Sequence, residues 1–144
     1  MRIYDTERVT DADPDAVWRV WTAIDRWPEW DPHEEIVRMD APFGVGATGY
    51  AKQVGAPGGA FTVLEVDPGR RFVTGDDAAI GRVRGSHEID PLPDGRIRLR
   101  LTFDATGLLG LIIKVGWGRR LITDSRRTLD ALVERAKASG GNGA

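Results

Sequence analysis

"GRIRLRLTFDAT", residues 95–106, decides the fold. Ile97, Leu99, Leu101, Phe103 and Ala105 fall in one phase, and Arg96, Arg98, Arg100, Thr102 and Asp104 in the other. Successive side chains on a strand point to opposite faces, so this segment is a strand with one face buried and one wet. Five more strand candidates precede it: 35–41, 48–54, 60–67, 71–77 and 81–90. The joins between them, such as "APFGVG", "GAPGG", "DPGR" and "DPLPDG", are turn chemistry. They are too short for a helical crossover, so these strands pair antiparallel. "RIYDTERVT" (2–10) supplies a seventh strand, with Ile3 and Val9 in one phase.

Helices flank the strands. "DADPDAVWRVWTAI" (11–24) carries Asp13 as a cap, Pro14 at the first helical position and Asp15 at the positive end of the dipole. Val17, Val20, Trp21 and Ile24 follow at helical spacing. Pro28 confines "RWPEWDP" to a separate short helix, with Trp27 and Trp30 one turn apart. A long helix is expected from about 109 to 137. Its later half has a stripe of Leu121, Ile122, Ser125, Leu129, Leu132, Val133 and Ala136. Its first part, with Leu108, Leu111, Ile112 and Val115, is apolar nearly all round and is expected to be covered or to line a cavity. Seven strands covered by one long amphipathic helix make an α+β domain, and a strongly curved sheet leaves room for a small ligand beneath the helix.

Composition narrows the function. The chain has 144 residues, no cysteine, and 20 basic against 22 acidic side chains, for a net charge of −2. Disulfides, thiolate metal sites and cysteine nucleophiles are excluded. There is no basic excess for nucleic acid, and the arginines 82, 84, 96, 98 and 100 are read as a solvated outer face partnered by Glu88, Asp90 and Asp104. The longest apolar-leaning run, "GLLGLIIKVGWG" (107–118), is too short for stable membrane insertion and carries Lys114. A cytoplasmic protein with one domain over 1–138 and a flexible Gly-rich tail over 139–144 is expected.

Three stretches carry a resemblance: "ADPDAVWRVWTAIDRWPEWDP" (12–32), "TVLEVDPGRRFV" (62–73) and "TDSRRTLDALVERAKA" (123–138). Together with the element order they resemble the START-like SRPBCC superfamily and its polyketide cyclase/dehydratase branch. The resemblance implies a helix-grip fold: a seven-stranded curved antiparallel sheet wrapped around a long C-terminal helix, with two short helices after the first strand. It also implies that a site, where present, is the cavity between sheet and closing helix. The superfamily includes cyclases, dehydratases, lipid carriers, hormone binders and cochaperone-like modules, so function rests on the site.

His87 is the candidate catalytic residue, because it shares a phase with Val83, Gly85 and Ile89. It could act as a general acid or base, hydrogen-bond a ligand carbonyl, or simply be satisfied by neighbouring backbone. The expected ligand walls are Trp27, Trp30, Val83, Ile89, Leu99, Leu101, Phe103, Leu111, Val115 and Ile122, with Ser125 offering a hydroxyl. His33, Glu34 and Glu35 are read as solvated turn residues, since neighbours on a strand face apart and no second histidine stands at ligand spacing. Neither a metal nor a cofactor is expected. The expected partner is a hydrophobic small molecule, such as a lipid, a polyketide-like aromatic or an isoprenoid; a homodimer stays open. Cyclase/dehydratase-type catalysis and a protein-interaction module are the alternatives, and a largest cavity below about 300 Å3 would favour the module.

Overall fold

The computed structural model describes residues 1–141. The elements are β1 (Arg2–Thr10), α1 (Pro14–Thr22), a 3-10 segment (Ile24–Glu29), β2 (Glu34–Met39), β3 (Thr48–Gln53), β4 (Gly59–Asp67), β5 (Arg71–Ala78), β6 (Gly81–Pro91), β7 (Ile97–Ala105) and α2 (Gly107–Gly141). The strands form one antiparallel sheet in the order β1-β7-β6-β5-β4-β3-β2, so β1 and β2 are its two edges. The sheet curls around α2 as expected. The tail expected from 139 begins inside α2, and residues 142–144 lie outside the described residues. No helix among the described residues is long and apolar enough to cross a membrane.

Local chemistry places the two short helices. The Asp13 side chain accepts from the Asp15 N–H, and Pro14 opens α1. Ala16, Val17 and Trp21 are buried on its inner face. At the other end the Trp27 indole N–H donates to the Trp21 carbonyl at 3.0 Å, satisfying an acceptor that the end of a helix leaves open. Trp18 and Trp21 both meet the buried Phe72 edge-on, at 5.9 and 6.0 Å between centroids. This aromatic cluster joins α1 to the middle of the sheet.

Three irregularities in the ladder reset which side chains face inward. They lie between Arg2 and Tyr4, between Glu34 and Ile36, and between Val63 and Glu65. A bulge inserts one extra residue and so flips the phase beyond it. On β1, Tyr4 stands opposite Phe103 and Thr6 opposite Leu101, so the even positions face in. Val9, expected to share the buried phase of Ile3, instead pairs with the outward Arg98 and is exposed.

α2 behaves as two halves. Its second half buries Leu129, Leu132, Val133 and Ala136 against the core. Ser125 is buried there too; its hydroxyl donates to the Ile122 carbonyl and accepts from Thr6 Oγ1, both at 2.7 Å. The first half comes close to the sheet at Gly110, where a Cβ would stand 2.6 Å from the Ala105 carbonyl oxygen. Its outward side is bare: Leu108, Leu111 and Ile112 are exposed, and Val115 is 80% exposed. The expectation that 108–117 is covered all round or lines a cavity is therefore corrected. The concave face is already filled by the second half of α2, α1 and the 3-10 segment, which leaves this stripe with nothing to pack on.

The outer face carries the arginines in pairs. Arg98 meets Asp90 at 3.3 Å, Arg100 meets Asp5 at 2.7 Å, and Arg84 meets Asp77 at 2.8 Å. Such exposed pairs contribute little individually, about 0–1 kcal/mol.

Candidate functional site

A cavity of about 220 Å3 lies at one end of the curled sheet, between its concave face and the helices. Trp21, Trp27 and Trp30 close it from the helical side, and Thr128 reaches it from α2. Tyr4 and Glu34 enter from the two edge strands. Val83, Gly85, His87, Leu101 and Phe103 form its floor on β6 and β7, while Ala51, Gln53, Phe61 and Thr74 complete the sheet side. Two larger depressions are surface grooves: one of about 540 Å3 on the outer face, among ion-paired residues such as Arg100 and Glu88, and one of about 710 Å3 along the β1–α2 seam.

Five of the eleven expected wall residues are in the cavity: Trp27, Trp30, Val83, Leu101 and Phe103. Ile89 and Leu99 share the right phase but lie farther along their strands, sealed in the core. Leu111, Val115 and Ile122 do not line it, because they lie on the bare side of α2. Ser125 faces inward, but its hydroxyl is consumed by Thr6 and its own helix rather than offered to a ligand.

His87 is buried and lines the cavity. Its ring lies flat on Phe72, with centroids 4.1 Å apart and planes 5° apart, and the Trp21 ring meets it edge-on at 5.3 Å. Nδ1 is 3.3 Å from the Phe72 carbonyl oxygen. A carbonyl can only accept, so Nδ1 carries the proton and Nε2 the lone pair. Burial pushes the pKa down to about 4, so the ring is neutral near pH 7. It can accept a hydrogen bond there but cannot act as a cationic acid.

His33 and Glu34 are not the solvated turn residues expected, and Asp31 ties the turn beside them by local hydrogen bonds. Asp31 is buried; its Oδ1 accepts from the His33 N–H and its Oδ2 from Thr128 Oγ1, both at 2.9 Å. Burial pushes its pKa up, and those two hydrogen bonds resist the rise. Glu34 pairs with Gln53, whose side-chain amide donates to Oε1 at 3.3 Å. Glu34 Oε2 is buried without a partner, and so is Trp30 Nε1. Burial, reinforced by the Asp31 charge, pushes Glu34 up to about 7. Tyr4 is also pushed up, by burial first and then by the charges of Glu34, Asp31 and Asp124. His33 is not a free turn residue either: its Nδ1 stands 3.6 Å from Asp124 Oδ1 of α2, with both side chains mostly covered. Glu35 alone meets the expectation, facing outward to Lys52.

The β2 bulge decides which of the two glutamates turns inward. Strict alternation back from Val37, which faces in opposite Ala51, would turn Glu35 inward. The extra residue turns Glu34 in instead. Tyr4 and Gln53 face the cavity for related reasons: Tyr4 depends on the β1 bulge, and Gln53 on the register of β3 with Glu34. The turn chemistry around Asp31, which can bond its own backbone two residues on, is the one local signal that marks this stretch as ordered.

Residues 1–137 match the family described as polyketide cyclase/dehydrase and lipid transport. No curated protein matches the sequence. Among solved structures, a hypothetical protein from Helicobacter pylori aligns with a TM-score of 0.78 at 14% identity, over 92% of this chain and 86% of that one. An aromatase/cyclase from Streptomyces sp. R1128 aligns with a TM-score of 0.72 at 18% identity, over 98% of both chains. A START superfamily protein from Mycobacterium smegmatis aligns with a TM-score of 0.71 at 15% identity, over 92% of this chain and 97% of that one. Identities this low establish a shared fold, and the family match extends over nearly every residue. The chain thus belongs to the polyketide cyclase/dehydrase and lipid transport family.

Proposed function

We propose that the protein binds a small, largely hydrophobic molecule in the cavity beneath α2. The carrying observation is that polar atoms without partners, Glu34 Oε2 and Trp30 Nε1, belong to residues of a wall otherwise rich in aromatic rings. A buried polar group left unpaired costs about 1–3 kcal/mol, and a ligand that engages it recovers that cost. The volume of about 220 Å3 lies below the roughly 300–1,000 Å3 of drug-sized sites, so it suits a molecule of one or two rings. A long lipid or a folded polyketide chain does not fit. By volume alone the interaction-module reading gains ground, with the bare stripe of α2 as its surface. The unpaired atoms keep ligand binding ahead, because a protein-docking module has no use for them.

Cyclase-like turnover is the second reading, favoured by Glu34. A carboxyl held at about 7 is matched to proton transfer near neutral pH, whereas His87 at about 4 is a weak base. Under this reading Glu34 moves the proton and His87, through the lone pair on Nε2, positions a donor group of the substrate.

Native mass spectrometry of the purified protein tests binding, with Gly85→Leu as the control. A Cβ at Gly85 would meet Thr74 Oγ1 at 3.4 Å and His87 Cε1 at 3.7 Å, so the backbone tolerates the side chain while the cavity fills. The wild type should carry, or take up from a fragment mixture, an organic mass that Gly85→Leu excludes. Equal uptake by both proteins, or none by either, would sink the proposal.

A further inference from the structure

We propose that the ligand is an organic cation, a one- or two-ring amine whose ammonium group sits against Glu34 among the tryptophan rings. This rests on the binding reading above and adds the charge of the ligand. The cavity walls include two carboxyl groups, Asp31 and Glu34, and neither a lysine nor an arginine. Asp31 has both oxygens occupied by the His33 N–H and Thr128. Glu34 has one oxygen held by Gln53 and the other buried without a partner. An ammonium supplies both things that oxygen lacks, a hydrogen-bond donor and a compensating charge.

The surroundings agree. Trp21, Trp27, Trp30 and Phe61 line the same space, and the negative faces of aromatic rings attract cations, tryptophan most strongly. Asp31, Tyr4 and His87 are the other titratable groups of the cavity wall, and Asp124 stands beyond them, paired with His33 and Arg120. Asp31 adds negative charge, while the buried phenol and imidazole are neutral near pH 7. A carboxylate ligand would meet this negative field with no counter-charge. Trp30 Nε1 is a donor and asks for an acceptor elsewhere on the molecule, away from the ammonium.

Tryptophan fluorescence titrations at pH 8 with three probes of similar size test this: 2-phenylethylamine, 2-phenylethanol and phenylacetate. The amine should bind about ten-fold more tightly than the alcohol, and the acid should not bind. Glu34→Gln should bring the amine down to the level of the alcohol. Glu35→Gln, on the outward neighbour paired with Lys52, should change neither. If wild type binds alcohol and amine alike, or prefers the acid, the cavity reading survives and the cation falls. If none of the three saturates, both readings fall together.

Discussion

Tyr4 and Glu34 stand on opposite edges of the sheet, on β1 and β2, yet line the same cavity, and the charge of Glu34 helps push the Tyr4 phenol up. The curl of the sheet brings its two edges round to one end, and a bulge near the start of each edge strand aims the side chain inward. The chemistry of the site is concentrated where the sheet comes round on itself.

Glu34 should make the protein less stable as pH rises. Its folded value of about 7 is above its ordinary 4.5, so the favourable protonated state is present in full below 4.5 and lost as pH rises through 7. The difference corresponds to an upper limit on the order of 3 kcal/mol. Glu34→Gln should therefore raise stability by about 1–3 kcal/mol at pH 8 and by almost nothing at pH 4. Urea unfolding at both values measures it; a variant curve parallel to wild type would contradict the burial of Glu34.

His87 contributes the opposite slope. With a folded value of about 4 against an ordinary 6.5, it resists protonation in the native state, and stability is lost as pH falls from 6.5 towards 4. The two slopes overlap and oppose, so the wild-type profile should be shallow between about pH 4.5 and 6.5. His87→Phe, which keeps a flat ring on Phe72, should unmask the Glu34 slope, so that this variant grows more stable on mild acidification. A variant that still loses stability over that window would show that His87 is not its source.

The Thr6–Ser125 hydrogen bond fastens β1 to α2. Ser125→Ala leaves the Thr6 hydroxyl without its acceptor in a buried setting and should cost about 1–3 kcal/mol. Thr6→Val combined with Ser125→Ala should cost less than the two single changes added together. Additivity in this double-mutant cycle would mean that the two hydroxyls are not coupled.

The halves of α2 should answer differently to substitution. Val115→Lys alters an exposed position and should change stability by no more than about 0.5 kcal/mol. Leu132→Ala empties a fully buried one and should cost about 2–5 kcal/mol. Thermal and chemical denaturation of the pair settles it; a large loss at Val115 would show that the stripe is covered in solution.

The fold was legible because its signals are local. Alternation in 95–106, turn residues between short strands and the cap at Asp13 each follow from a few neighbouring residues, and all point one way. Val83, His87, Leu101 and Phe103 share the inward phase of their strands, and Trp27 and Trp30 stand one helical turn apart. What could not be read is what depends on counting along a strand past an unseen bulge: that Glu34 turns inward, and that Tyr4 and Thr6 do so instead of Val9. The bare stripe of α2 was misread for another reason. Apolar composition records what a segment would gain by being covered, while the area available beneath the helix depends on how tightly the sheet closes.

The bulges also have an evolutionary consequence. A strand alternates with period two, so one inserted residue near the start of β1 or β2 exchanges the whole set of side chains that the strand end turns inward. Chains of this architecture can thus exchange the contents of their binding site by gaining or losing single residues at the sheet margins, with the framework untouched. Aligned positions in distant relatives need not be equivalent positions in the site.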